Sequence, residues 1–356
     1  MSPNPKIVSV GTAVPPYYYP QQELLSALQS MWAERHYNTD RLAQFHKNMQ
    51  VDGRNLSCPI EFYLGKPNFT ERNQAYQQMG LKLAQESLES ALSQGPLPPG
   101  EIRHLAFTTV TGLAVPSLEA RLMNRMALPN DLRRLPIFGL GCLGGAAGVA
   151  RVGDLLRGYP QQAGALLSVE LCSLTLQSAD LSVPNLVATG LFGDGSASVL
   201  MVGGDHPLAQ SCSGPEVIDS RSIFFPDSEH VMGWNFGQDG FQVVLSPEVP
   251  VFAKDHLVPA LLRFLADHNL KLDQIKSWVA HPGGPKVVQS MAEGLDVPVE
   301  TFERTLRSLA KVGNLSSASV LFVLQDALKN APPPGSYGIL MAMGPAFCAE
   351  VVLLRW

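Results

Sequence analysis

Three residues in this chain have side chains and surroundings suited to thioester chemistry. Cys142 stands in PIFGLGCLGGAAGVARVGDLLRGYP, where an apolar strand-like run ends at Gly139, Leu140 and Gly141. Beyond Gly144 and Gly145, the spacing of Ala147, Val149, Ala150, Leu155 and Leu156 predicts a helix that stops near Gly158 and Pro160. A cysteine on such a turn meets the exposed N–H groups and dipole of the helix N-terminus, which favour a thiolate. Small neighbours leave room for a bulky thioester beside the sulfur. Taken alone, Cys142 also reads as an inert structural cysteine. His281, in SWVAHPGGPK, ends a hydrophobic strand just before Gly283 and Gly284. Strand ends are where α/β folds collect reacting groups. Asn314, in KVGNLSSASVLFVL, follows Gly313 and opens an apolar helix that begins with Ser316 and Ser317. Alone, it also reads as a helix N-cap. Together the three make a set with a definite use. An imidazole holds the thiolate as an ion pair, and histidine and asparagine donors form an oxyanion hole.

Alternating strands and helices must position them. KIVSVGTAV reads as a strand, QQELLSAL as a helix and ERNQAYQQMGLKLAQESLESAL as a longer helix ending before GPLPPG. HLAFTTVTG, GALLSVEL and ASVLMVGG follow as buried strands, the second with Glu170 inside its apolar run. KSWVAHPGG is a further strand, and YGILMAMG pairs with AEVVLLRW. Continuous apolar strands between helices predict sheets covered on both faces, an α/β layered fold. GGDHPLAQ, around residues 203–210, is the seam between two halves, 1–205 and 206–356, although no sequence repeat relates them.

With 356 residues the chain can bury a core without disulfide or metal support. Its 26 basic and 31 acidic residues argue against a nucleic-acid footprint. The five cysteines show no C-x-x-C spacing, and no histidine has metal-ligand spacing, so reduced thiols and no metal are expected. No run approaches a membrane span and no secretory signal is visible, so the expected location is cytoplasmic.

The motifs LGCLGGAAG, GLFGDGSAS, AHPGGP, GNLSSASVLFVL and AMGPAFCAEVVLL occur in the order found in type III polyketide synthases, and the chain resembles that chalcone-synthase-like superfamily from KIVSVGTAVP to its last tryptophan. The resemblance implies a thiolase fold, two fused αβαβα halves in five layers, assembled as a homodimer. It implies that Cys142 takes an acyl group from coenzyme A. His281 and Asn314 would activate it, bind the malonyl thioester and stabilise the carbanion left by decarboxylation. Phe192 matches the aromatic gatekeeper, whose apolar wall promotes loss of carbon dioxide. Coenzyme A thioesters are substrates here, and no resident cofactor is implied.

The departures point to the bacterial branch. Val243 replaces a second gatekeeper phenylalanine, and Trp234 stands where plant members have a cavity-lining glycine. Thr111, Cys172, Thr175, Ser316 and Met343 fall at cavity positions, and Val115 matches the residue that reaches into the partner's cavity. Arg41, Lys47, Arg54 and Lys286 are the cations available to the coenzyme A phosphates; a solvated helical face is the alternative for the first two and a structural ion pair for Arg54. The implied reaction extends a medium- or long-chain acyl-CoA with malonyl-CoA and closes an alkylpyrone or alkylresorcinol. If Trp234 fills the cavity, a malonyl-only synthase of tetrahydroxynaphthalene or pyrone type is the alternative. A single-condensation ketoacyl synthase shares the three residues but usually carries an HQAN-like sequence where this chain has HPGGP.

Overall fold

A strand without a polar face must be covered on both sides, and Ala163–Leu171 and Asp194–Val202 are buried at every one of their nine residues. The computed structural model, which describes residues 3–35 and 38–356, places them at the heart of the molecule. The strands are β1 (Lys6–Ala13), β2 (Tyr17–Pro20), β3 (Gly53–Leu56), β4 (Ile102–Thr109), β5 (Arg133–Phe138), β6 (Ala163–Leu171), β7 (Asp194–Val202), β8 (Glu216–Phe224), β9 (Met232–Gly237), β10 (Gly240–Leu245), β11 (Ile275–Ala280), β12 (Tyr337–Gly344) and β13 (Cys348–Arg355). The main helices are α1 (Gln21–Trp32), α2 (Thr39–Asn48), α3 (Phe69–Ser93), α4 (Gly144–Gly158), α5 (Val183–Leu191), α6 (Val258–Asp267), α7 (Pro285–Leu295), α8 (Glu303–Val312) and α9 (Ser319–Lys329).

Nine strands join in the order β11-β12-β13-β8-β1-β7-β6-β4-β5. The run β4-β6-β7-β1 pairs parallel, antiparallel, antiparallel, and β11-β12-β13-β8 repeats that pattern. The two half-sheets therefore share one design, and they meet only where Lys6 stands opposite Glu216. The repeat is carried by strand pairing, which explains why the sequence shows none.

Residues that alternate along each strand feed different cores. Leu166 of β6 and Val352 of β13 join α4 and α9 in a central core, whereas Leu167 packs under α3 and Leu353 under α6 and α7. The layers are helices, half-sheet, the α4–α9 pair, half-sheet, helices. Each Val or Leu fully buried in them is worth about 1.5–3 kcal/mol. Helix α4 is buried around most of its circumference, as a central helix must be, and its glycines permit close approach. Helix α3 starts at a capping box formed by Asn68 and, three residues on, Glu71.

Four strands differ from the sequence expectation. The strand before Cys142, β5, is an exposed sheet edge rather than a core strand. Strand β8 and the β9–β10 hairpin carry too few buried residues to show an apolar run. Among the described residues, no helix is long and apolar enough to cross a membrane, and no cluster of metal-ligating side chains occurs. All five cysteines are unpaired.

Candidate active site

Cys142 lies on a short turn, Gly141–Leu143, between β5 and α4. Gly141 has φ +52°, and a side chain there would strike the Pro345 ring. Asn314 occupies the corresponding place in the other half, after Gly313 (φ +75°) and ahead of the Ser316–Ala318 turn into α9. The two central helices thus bring their N-terminal turns to one chamber. His281 follows β11, with its N–H donating to the Met341 carbonyl at 2.9 Å. Cys142, His281 and Asn314 share the chamber wall with Phe192, Cys172, Trp234, Val243, Ser316 and Met343.

The N-cap alternative for Asn314 holds for half of its amide. Oδ1 accepts from the Ser316 N–H at 2.8 Å and from the Ser319 hydroxyl at 3.4 Å, which fixes the amide and leaves Nδ2 as the donor for a ligand. A backbone bridge joins Asn314 to the Phe192 segment: its N–H donates to the Leu191 carbonyl at 2.8 Å, and Gly193 N–H donates to its carbonyl at 3.0 Å.

Burial opposes the thiolate expected at the helix N-terminus. Burial pushes the Cys142 thiol up to about 12, ahead of the opposing hydrogen bond with Ser316. The thiol donates to the Ser316 hydroxyl at 3.7 Å, and both His281 ring nitrogens are buried without a partner. Burial likewise lowers His281 to about 3. Burial therefore disfavours a charge on either group, against the pull of the helix dipole.

Behind the chamber, Glu170 is fully buried. It accepts from the Val110 N–H at 3.0 Å and the Thr111 hydroxyl at 2.8 Å through one oxygen, and from Ser317 at 2.5 Å through the other. Burial outweighs these bonds and pushes it up to about 7. A carboxylate inside an otherwise apolar strand was the signal for this group, though not for its partners.

A second, mainly apolar pocket adjoins the chamber. Cys172, Phe192, Trp234 and Val243 line both cavities and so form the wall between them. Trp234 and Val243 face each other across the β9–β10 hairpin. Leu24, Leu28 and Met31 of α1, with Leu56, Ile60 and Tyr63, line the far side.

Several expected positions fall elsewhere. Thr111 is on neither pocket wall: its hydroxyl is occupied by Glu170 and by the Leu171 N–H. Thr175 lines the second pocket, with its hydroxyl on the Cys172 carbonyl, rather than the chamber. Arg54 is not available to a coenzyme A phosphate. It is 4 % exposed, and its Nη1 donates to the Phe192 carbonyl at 2.7 Å. Arg41, Lys47 and Lys286 are exposed, with the Arg41 guanidinium over the Phe45 ring. Val115 is 97 % exposed and touches neither cavity of its own chain.

Comparison with known proteins agrees with this architecture. Residues 4–206 match the model for the N-terminal domain of chalcone and stilbene synthases, and residues 216–356 match that for the C-terminal domain. A 1,3,6,8-tetrahydroxynaphthalene synthase of Streptomyces peucetius subsp. caesius is 46% identical over 351 residues, covering 98% of this chain and 93% of the relative. A putative chalcone synthase of Bacillus subtilis (strain 168) is 36% identical over 358 residues, 98% of both chains. The crystal structure of 1,3,6,8-tetrahydroxynaphthalene synthase from Streptomyces coelicolor A3(2), a bacterial type III polyketide synthase, superposes with a TM-score of 0.93 at 28% identity, covering 99% of each chain. The thiolase fold implied by the motifs is the fold observed.

Proposed function

The chain belongs to the chalcone and stilbene synthase family and is a type III polyketide synthase, and from that premise we propose that it builds its product from malonyl-CoA units alone. Cys142 gives its proton to His281 as its sulfur attacks a thioester carbonyl, and coenzyme A leaves as the thiol. The carbonyl oxygen of an incoming malonyl-CoA then accepts hydrogen bonds from His281 and Asn314 Nδ2. Carbon dioxide departs, the enolate carbon attacks the Cys142 thioester, and the sulfur is released for another round. The reaction so described calls on no resident cofactor.

The observation that carries the malonyl-only reading is the wall of Cys172, Phe192, Trp234 and Val243, which stands between the chamber and the second pocket. The relatives' product, a tetrahydroxynaphthalene, is a ten-carbon ring system with no alkyl branch. A long starter would leave such a branch. The second reading, a medium- or long-chain acyl-CoA starter released as an alkylpyrone or alkylresorcinol, is favoured by the apolar pocket behind the wall, where each buried methylene is worth about 0.8 kcal/mol. Competition at equal concentrations decides between them. Malonyl-CoA alone is expected to give the full product rate, with long acyl-CoA neither entering the product nor slowing it. A product carrying the acyl chain would overturn the first reading.

Arg41, Lys47 and Lys286 are the candidates for the coenzyme A phosphates in this scheme. Val115, with the exposed Leu113 and Phe138, fits a homodimer contact in which it borders the partner's cavity.

A further inference from the structure

Arg54 lies on β3, far in sequence from the site, yet its stem covers the junction between the gatekeeper and asparagine segments. A Cβ on Gly313 would sit 3.1 Å from Arg54 Cδ, and one on Gly193 would sit 3.5 Å from its Cγ. Those glycines flank Asn314 and Phe192, whose segments exchange the two backbone hydrogen bonds described above. The guanidinium then reaches the Phe192 carbonyl at 2.7 Å. Asp194, just beyond Gly193, supplies the opposing charge and is itself held by the backbone and hydroxyl groups of Ser57 and Ser173. Packing alone does not require a cation at such a place, because an apolar side chain of similar volume is often as stable. A rigid guanidinium fork on a main-chain carbonyl fixes position as well as filling space.

We propose that Arg54 is a positioning residue for the condensation: by holding the Phe192 carbonyl and the bridge to Asn314, it keeps the aromatic wall and the Nδ2 donor aligned on the same malonyl group. This inference rests on the roles given to Asn314 and Phe192 above. Arg54 acts through those two segments and not on the reacting atoms.

Purified Arg54→Met and Arg54→Lys are compared with wild type and Asn314→Ala in three measurements: carbon dioxide release from malonyl-CoA, Cys142 alkylation by iodoacetamide, and thermal unfolding. Arg54→Met is expected to lower decarboxylation about 10–100-fold, the scale of a displaced donor, with alkylation within about twofold of wild type. Arg54→Lys keeps the charge but not the fork and is expected to lose less. Equal losses of decarboxylation and alkylation would show general damage to the site and overturn the proposal. So would decarboxylation by Arg54→Met within about threefold of wild type while Asn314→Ala is impaired, and the reading of the site would then survive. Normal decarboxylation by Asn314→Ala would instead remove that reading and this inference with it. If Arg54→Met does not fold, the ratio of decarboxylation to alkylation is read in Arg54→Lys, where an unchanged ratio overturns the proposal.

Discussion

Replacing Glu170 with glutamine should change how the stability of the protein depends on pH. Glu170 is raised from the ordinary 4.5 to about 7, principally by burial. At about 1.4 kcal/mol for each tenfold change in proton affinity, that displacement is worth about 3 kcal/mol. The folded state binds the proton more tightly than the unfolded chain. The stabilisation is therefore fully present below pH 4.5 and is lost as pH rises through about 7. Glutamine has nearly the same shape, keeps an acceptor for Val110 and Thr111, and does not titrate. Ser317 can turn its hydroxyl towards Ser168, which already lies 2.8 Å away. The assay is urea unfolding of wild type and Glu170→Gln at pH 5 to 8. The stability of wild type relative to the variant should fall by most of that amount across this range. Other shifted groups, such as Asp194 and Glu350, are common to both proteins and cancel in the comparison. Parallel stability curves would refute the reasoning and place Glu170 as an ordinary carboxylate, ionised throughout.

Cys142→Ala should abolish product formation while unfolding within a few degrees of wild type, as circular dichroism would record; retained product would remove the nucleophile role. His281→Ala and Asn314→Ala should each lower condensation by about 10²–10³, the worth of one oxyanion donor, with His281 the more damaging because it also receives the thiol proton. Iodoacetamide should alkylate Cys142 more slowly in His281→Ala than in wild type, and at the wild-type rate in Asn314→Ala; equal rates in all three would separate His281 from the thiol. Trp234→Gly removes a shared wall residue and should move products towards longer acyl starters, which mass spectrometry of a starter panel would show.

The candidate reacting groups were legible in the sequence because each needs an unusual backbone. Glycines around Cys142 and before Asn314 mark turns that other residues cannot make, and His281 ends an apolar strand. Phe192 has no such signature and was visible only through the resemblance. The sequence left Arg54 between a coenzyme A phosphate and a structural ion pair, because its partner is a main-chain carbonyl 138 residues away. Thr111 was misplaced for a similar reason: its hydroxyl serves Glu170, and only the fold brings the two together. The thiolate expectation rested on a helix dipole, which is local, and left out burial, which depends on the whole chamber. The relation between the halves lies in strand pairing, and pairing leaves little trace in side-chain identity.

The spacing between Cys142 and Asn314 is set by helix contact and not by the sheet, which joins the halves through a single residue pair. A Cβ on Gly145 would lie 2.1 Å from the Ser317 carbonyl oxygen, so α4 meets the start of α9 with no side chain between them. The distance that matters for bond formation is thus a layer thickness deep inside the molecule. The wall residues Trp234 and Val243 lie elsewhere, on a peripheral hairpin. A change in the hairpin can therefore reshape the chamber wall without moving the two helix N-termini apart.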